Sequence, residues 1–426
     1  MSLAVKTLLN ASQDFGRCRI EKVCLADDAP ASQPVIHVHL QPKAGSRGTC
    51  SGCLEQAPGY DTLGLREWKF LSILSYAVLL IYALRRVDCP RCGVKVEQVP
   101  WSDGKSPYSI PLMHFLARWA RRISWLECSK VFGVSWESVY RSVEWLVAYG
   151  LKHRKVDEVQ SIGVDELHWG KGKKSENFLT LIYQIDAGTR RLLYVGRKRT
   201  EATMLKGLKT LEAESKGFCE RITIACSDMW KPFLKVIRER LPNALNVLDR
   251  FHIAQHLNRA VDEVRRGEQA QLSKAAKKRI KGVKFLLLKK GSRVRGKARA
   301  KLNDTLCSLY DTSQAWVLKE AFGKFWKYRS PTWAGAWLTA WIELARKTGL
   351  QPMLRVAKMM ENHQELMMNY FRAKREFSSA VVEGLNNKAR ISLAKSYGHR
   401  SYNVLEVALY HALGALPEPP LAHRFC

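Results

Sequence analysis

Two cysteine pairs, Cys50-x₂-Cys53 and Cys89-x₂-Cys92, constrain the fold of this chain more than any other feature of its sequence. Each C-x₂-C turn presents two sulfurs to one point, and four thiolates in two such turns suit a tetrahedral Zn²⁺ ion. The 35 residues between the pairs, 54–88, must therefore leave and return to the same place. The stretch REWKFLSILSYAVLLIYALRRVD (66–88) can do so as a hairpin. Pro90 and the neighbouring Gly52 and Gly93 fit tight turns. Four protein ligands leave no position for a substrate, so the expected ion is structural; the plain alternative is chance pairing of free thiols. Cys18, Cys24, Cys128, Cys219, Cys226, Cys307 and Cys426 show no such pairing and are expected to be packing thiols.

The chain has 426 residues, enough for two to four domains, and 46% hydrophobic residues give it material for packed cores. Lys and Arg number 70 against 39 Asp and Glu, a net charge of +31. Such an excess repels itself unless a polyanion neutralises it, and nucleic acid is the leading partner. A ribosome-associated protein or a merely basic soluble one are the plainer readings. The longest apolar run, YAVLLIYAL (76–84), falls well short of the roughly 20 residues that span a bilayer. No apolar stretch follows a basic start. The expectation is a cytoplasmic, nucleoid-associated protein with no membrane partner.

VIHVHLQP (35–42) reads as a strand, and residues 111–151 read as helical. Within the latter, FGVS (132–135) separates two helical patterns. Gly133 can take the left-handed conformation, and Ser135 can cap the next helix with Glu137 in its first turn. Val139, Val143 and Leu146 would face the preceding helix, turning Trp136, Ser138, Tyr140 and Arg141 outward as in a recognition helix. A plain packing hairpin is the alternative.

Between 158 and 250 the period changes to strands: SIGVDEL, FLTLIYQID, RLLYVGRKR, a helix, RITIACSDM, a helix, and LNVLD. In the first, Ile162 and Val164 share one face while Asp165 and Leu167 share the other, so Asp165 and Glu166 point opposite ways. Asp228 ends the fourth strand. The order strand–strand–strand–helix–strand–helix–strand is that of a ribonuclease-H-like fold, in which the first and fourth strands lie side by side and bring the two aspartates together. Two Mg²⁺ ions need more oxygen ligands than these two acids offer. Glu361, Glu365, Glu376, Glu383 and Glu406 are the candidates for a third. On a helix, Glu383, Asn387 and Arg390 share a face, joining a ligand, an amide and a phosphate-binding cation, while Val382, Leu385 and Ala389 can pack on the sheet. Glu376 is the second choice.

At these residues the chain resembles a bacterial insertion-sequence transposase with an Asp–Asp–Glu centre, of the zinc-ribbon ISL-three family. The likeness is carried by the cysteine knuckles, the helix-turn-helix, IGVDEL, CSDMWKPF, VLDRFHIAQHLNRAVDEVRR and VEGLNNKARISLAKSYGHRSYN. The segment HWGKGKK is more basic than the family pattern. The resemblance implies catalytic Asp165, Asp228 and Glu383 binding two Mg²⁺ (or Mn²⁺) ions, and a helical insertion before the glutamate. It implies binding of double-stranded DNA at terminal inverted repeats and target, and at least a homodimer when assembled on DNA. The fold expected is multidomain α/β: a zinc-ribbon domain over 1–100, a helix-turn-helix over 105–152, a catalytic core over 158–255 and 373–415, and an all-helical insertion over 256–372. A catalytically dead regulator and a nuclease that cuts without joining are the rival functions.

Asp249 and His252, in DRFH, suit either an accessory active-site role or a salt-bridged strand end. Asp186 belongs to a hairpin turn. Between Lys274 and Lys301 the chain carries Lys277, Lys278, Arg279, Lys281 and seven further cations, with no acid from 272 to 302, and reads as a phosphate-binding surface rather than a solvated face. Trp316, Trp326, Trp333, Trp337 and Trp341 are expected in a helical core rather than as base-stacking platforms.

Overall fold

The computed structural model describes residues 2–26, 34–169, 175–374, 380–395 and 401–420. These fall into two compact units, Met1–Arg154 with Ile391–Cys426, and Lys155–Arg390. Glu376, Cys426 and most of the HWGKGKK segment lie outside the described residues.

The first unit opens with helix α1 (Ser2–Ser12) and strands β1 (Cys18–Leu25), β2 (Val35–Pro42), β3 (Gly48–Thr49), β4 (Gln56–Ala57), β5 (Gly59–Lys69), β6 (Ala77–Cys89) and β7 (Gly93–Val96). One sheet runs β1-β2-β6-β5, with β7 also on β6; β3 and β4 form a separate two-residue ladder. The expected hairpin is present as β5 antiparallel to β6. Alternating Val78, Leu80, Tyr82 and Leu84 of β6 join Ile36, Val38 and Leu40 of β2 around Trp68 and Trp101, both fully buried. Cutting either Trp to Ala would cost about 3–5 kcal/mol. Buried Glu97 is neutralised by Arg85 and accepts from the Tyr82 hydroxyl at 2.7 Å, as a charge removed from water requires.

Three helices follow: α2 (Ile110–Ala120), α3 (Trp125–Val131) and α4 (Trp136–His153), with Ser109, Ser124 and Ser135 as their N-caps. Gly133 has φ +57°, the conformation expected of the turn before α4. Val139, Val143 and Leu146 are buried as expected. The outward row is corrected in part. Arg141 is exposed and paired with Glu137 and Glu144, and Trp136 is half-buried. Ser138 and Tyr140 are buried. The cause is local packing: the Ser138 hydroxyl donates to the Tyr108 oxygen at 2.8 Å, and the Tyr140 ring packs in a three-ring cluster with Trp125 and Trp136.

In the second unit, β8 (Ser161–His168), β9 (Phe178–Gln184), β10 (Arg191–Arg197), β11 (Ile224–Ser227) and β12 (Leu245–Leu248) form a sheet ordered β10-β9-β8-β11-β12. The first three strands meander antiparallel, with Asp186 in the β9–β10 turn; β11 is parallel to both β8 and β12. Parallel neighbours need crossovers, supplied by α5 (Glu201–Glu214) with α6 (Phe218–Arg221), and by α7 (Lys231–Arg240). Ile162, Val164 and Ile182 pack beneath Met204, Leu208, Phe233 and Val236 on one face.

The chain then becomes helical through α8 (Arg250–Ala270), α9 (Lys274–Arg279), α10 (Lys284–Leu288), α11 (Gly296–Ser308), α12 (Tyr310–Phe322), α13 (Pro331–Lys347), α14 (Gln351–Asn362) and α15 (Gln364–Arg372). The cations at 277–281 are exposed or half-exposed, as either a phosphate-binding or a solvated face would have them. Trp341 is core and Trp326 and Trp337 join an aromatic cluster with Phe322 and Phe325, but Trp333 is 70% exposed, against expectation. Cys307 is likewise exposed rather than packed. Helix α16 (Ala380–Lys395) follows, and α17 (Tyr402–Leu413) packs on α4. Among the described residues no helix is long and apolar enough to cross a membrane.

Candidate active site

Gly163 and Asp165 point away from the α5–α7 face, and α16 lies over them. The fit is close: a Cβ on Gly163 would stand 2.4 Å from Val382 Cγ2, so the strand needs a glycine for the helix to seat. Val382, Leu385 and Ala389 are buried, as the helical spacing predicted. The same stripe carries Asn386, 2% exposed, whose Nδ2 donates to Asp165 Oδ2. The Tyr183 hydroxyl of β9 donates to Asn386 Oδ1 at 2.7 Å, and the Glu166 backbone N–H donates to Asp165 Oδ1 at 2.7 Å. Left unpaired, a buried amide would cost about 1–3 kcal/mol, so this chain of bonds fixes the register of helix against strand. Burial, with the Asp165 charge behind it, raises the Tyr183 pKa and keeps its hydroxyl a donor.

Asp228 follows the last residue of β11. Cys226 lies opposite Gly163 in the parallel ladder, so extending the register two residues sets Asp228 beside Asp165. The Trp230 N–H donates to Asp228 Oδ1 at 3.0 Å. Arg199 bridges Asp228, at 3.5 Å, and Glu166, and its guanidinium lies 4.3 Å above the Trp230 ring. Asp249 caps α8, accepting from the Phe251 N–H at 2.6 Å, and stands 3.6 Å from His252 Nε2. This contact fits the salt-bridged strand end, and the field of both residues reaches Asp165, as an accessory role would need.

Burial pushes the Asp165 carboxyl up to about 6; the Glu166 N–H and His252 work against this, and Asp228 and Asp249 with it. Burial likewise pushes Glu166 up to about 7 against the pull of Arg199, with help from Asp228 and Asp165. Buried acids crowded by other acids are short of positive charge, which a divalent cation would supply. The carboxylates fit Mg²⁺ in ligand type, although among the described residues they do not converge within 4.8 Å as the cysteines do.

Glu383 sits in the first turn of α16, half-buried, on the wall of a groove with Arg250 and Phe251. Asn387 and Arg390, grouped with it by spacing, are exposed, and Arg390 donates to Asn387 Oδ1 at 3.0 Å rather than reaching the acids. The amide on the site is the preceding one. Sequence reasoning missed both Asn386 and Arg199: spacing picked Asn387 instead, and Arg199 carried no signal in its own stretch. Glu361 and Glu365 pair with Arg346 and Arg372, and Glu406 lies on α17.

In the other unit, Cys50, Cys53, Cys89 and Cys92 offer sulfurs that all lie within 4.8 Å of one another, with Cys53 and Cys89 at 3.6 Å. A Zn–S bond of about 2.3 Å gives a tetrahedral edge of about 3.8 Å, so the donor set and spacing fit zinc. Backbone N–H groups of Cys53 and Gly52 lower the Cys50 thiol to about 7, and desolvation pushes Cys92 to about 12. Gly93 takes φ +69°, and a Cβ on Gly52 would stand 2.9 Å from Cys92 Sγ.

A family profile described as transposase, of the ISL3 type, matches residues 162–409. The chain is 22% identical over 369 residues to the transposase of insertion element IS1001 from Bordetella parapertussis, covering 86% of this chain and 88% of that one. It is 23% identical over 436 residues to the IS1557 transposase of Mycobacterium tuberculosis, covering 96% and 95%. The Drosophila P element transposase strand transfer complex aligns over 70% of this chain and 90% of its own, at a TM-score of 0.32 and 10% identity.

Proposed function

The chain belongs to the ISL3 family of insertion-sequence transposases, and on that premise we propose that Asp165, Asp228 and Glu383 are the centre with which it cleaves and joins DNA. The observation that carries the assignment is the hydrogen bond from Asn386 to Asp165. It ties the helix bearing Glu383 to the strand bearing the first acid, while the β8–β11 ladder supplies the second. The sheet order, with the first and fourth strands adjacent, supports a ribonuclease-H-like core over 158–255 and 373–415, interrupted by the helical insertion 256–372.

Asp165, Asp228 and Glu383 would hold two Mg²⁺ ions, which when bound activate a water or a 3′-hydroxyl and stabilise the leaving oxygen. Asn386 and the Glu166 N–H aim the Asp165 carboxylate. Arg199 and the Trp230 N–H hold Asp228 at the strand end. No covalent enzyme intermediate is required, so no Ser or Tyr nucleophile is needed. Four thiolates holding one Zn²⁺ shape a zinc ribbon within 1–100, and the α3–α4 turn within 105–152 serves as a helix-turn-helix whose exposed Arg141 would exchange Glu137 and Glu144 for DNA. Both read the terminal inverted repeats, and the cations around Lys277, Lys278, Arg279 and Lys281 hold phosphates of terminal or target DNA. Pairing two element ends calls for a homodimer on DNA.

A strand-transfer assay with labelled element ends and Mg²⁺ tests the centre. Joined product should vanish in Asp165→Ala, Asp228→Ala and Glu383→Ala alike. Joined product that persists in Glu383→Ala sinks the assignment.

A further inference from the structure

We propose that the groove beside Glu383 receives one unpaired nucleotide of the DNA strand next to the cut, with its base on Phe251 and its phosphate at Lys290; this rests on the catalytic reading of Glu383. The groove has a volume of about 540 Å³ and lies wholly within the Lys155–Arg390 unit, between α8, α12 and the first turn of α16. Its size suits a single nucleotide, and its lining has both halves of what a nucleotide needs. Phe251 is 45% exposed, so part of its ring is open to a flat apolar partner in the groove. Trp326 also lines the groove, with the Arg250 guanidinium 4.8 Å above its ring. Arg250 is further held by its Nη1 donating to the Tyr370 oxygen at 2.8 Å, so a cation is fixed at the aromatic surface.

Lys319 is committed to the carbonyls of Leu287 and Lys289 and to Glu320, and contributes field rather than a donor. Lys290, exposed at the groove, lies within the stretch of cations from Lys274 to Lys301 and so links the groove to the basic surface. Aromatic faces beside a track of cations are how proteins hold unpaired bases, because every base has a π-face and every nucleotide a charge. A base leaves its stack only where the protein offers another surface for it. The groove offers one beside the residue that would act on the adjoining phosphate.

The test uses the full-length protein and duplexes carrying the element's own terminus. One set is fully paired; in the other a single abasic site is placed in turn at each position flanking the cut. Phe251→Ala should lower strand transfer on the paired duplex about tenfold or more, the loss expected of one stacked base. Phe251→Trp should keep the rate. An abasic site at one flanking position should restore most of the Phe251→Ala activity, since no base then has to be stacked. Lys290→Ala should lower the rate and make its fall with salt shallower, by about one counterion in the log–log slope. Wild-type rate in Phe251→Ala on paired duplex, or no rescue at any abasic position, overturns the proposal. So does tight binding of a free mononucleotide without abasic rescue, which would place a small ligand there instead. Asp165→Ala is the separate control: it should be inactive on paired and abasic duplexes alike, and its activity would overturn the catalytic reading rather than the groove.

Discussion

The four cysteines and the three acids are both assembled from residues far apart in sequence, yet they are organised in opposite ways. The sulfurs already lie within 4.8 Å of one another, whereas the carboxylates stay apart and are tied to the protein's own donors: Asp165 to Asn386, Asp228 to Arg199. Charge explains the difference. Neutral thiols can crowd, and backbone N–H groups draw Cys50 down to about 7. Ionised carboxylates repel, and burial without a counter-charge drives Asp165 up to about 6 instead of letting the acids close together.

The largest expected effect is on the acids. Replacing any one of Asp165, Asp228 and Glu383 by Ala should cut strand transfer roughly 10³-fold, because bound metal contributes several kcal/mol to the transition state. Fold should persist, as circular dichroism would report. The cysteine site should behave in reverse. Cys89→Ser should reduce zinc from one ion per chain to near none by mass spectrometry, and destabilise its unit by about 3 kcal/mol or more. If the cysteine variant melts like the wild type, the contrast between the sites is broken.

Smaller changes sharpen it. Asn386→Ala should weaken the apparent affinity for Mg²⁺ in strand transfer about 10–100-fold, and Tyr183→Phe less, as expected for groups that aim a ligand without touching the ion. Loss of kcat at unchanged Mg²⁺ dependence would refute the positioning role. The mildest effect is in pH. The raised pKa means that the folded, metal-free protein keeps a proton on Asp165 that the unfolded chain has lost between its ordinary 3.8 and about 6. The contribution of this group to stability is therefore full below that window and falls as pH rises through it. Mg²⁺ must displace that proton, so the half-saturating Mg²⁺ concentration should fall as pH climbs to about 6 and level off above. A flat profile between pH 5 and 7 would show that Asp165 does not ligate the metal.

The C-x₂-C pairs, the hairpin between them, the strands around Asp165 and Asp228 and the helix around Glu383 were all legible in the sequence. Their signals are short-range: a fixed spacing, a period of two, an apolar stripe every three to four residues. Three site details were not legible from such signals. Spacing favoured Asn387, but the bond to Asp165 comes from Asn386, because burial of Val382 over Gly163 sets which side of α16 meets β8. Ser138 and Tyr140 looked outward by period, but Tyr108 and the Trp125 and Trp136 rings cover them. Arg199 follows β10 as an ordinary basic residue, and only the crossing of that chain segment near β8 and β11 makes it the cation between Glu166 and Asp228.

By itself, then, the sequence determined which residues could do chemistry and which elements carry them, since periodicity and ligand spacing act within a few residues. The tertiary structure alone decided which of those side chains meet and what neutralises them. Strand pairing and helix docking join residues as distant as 165 and 386, and no local pattern records the outcome.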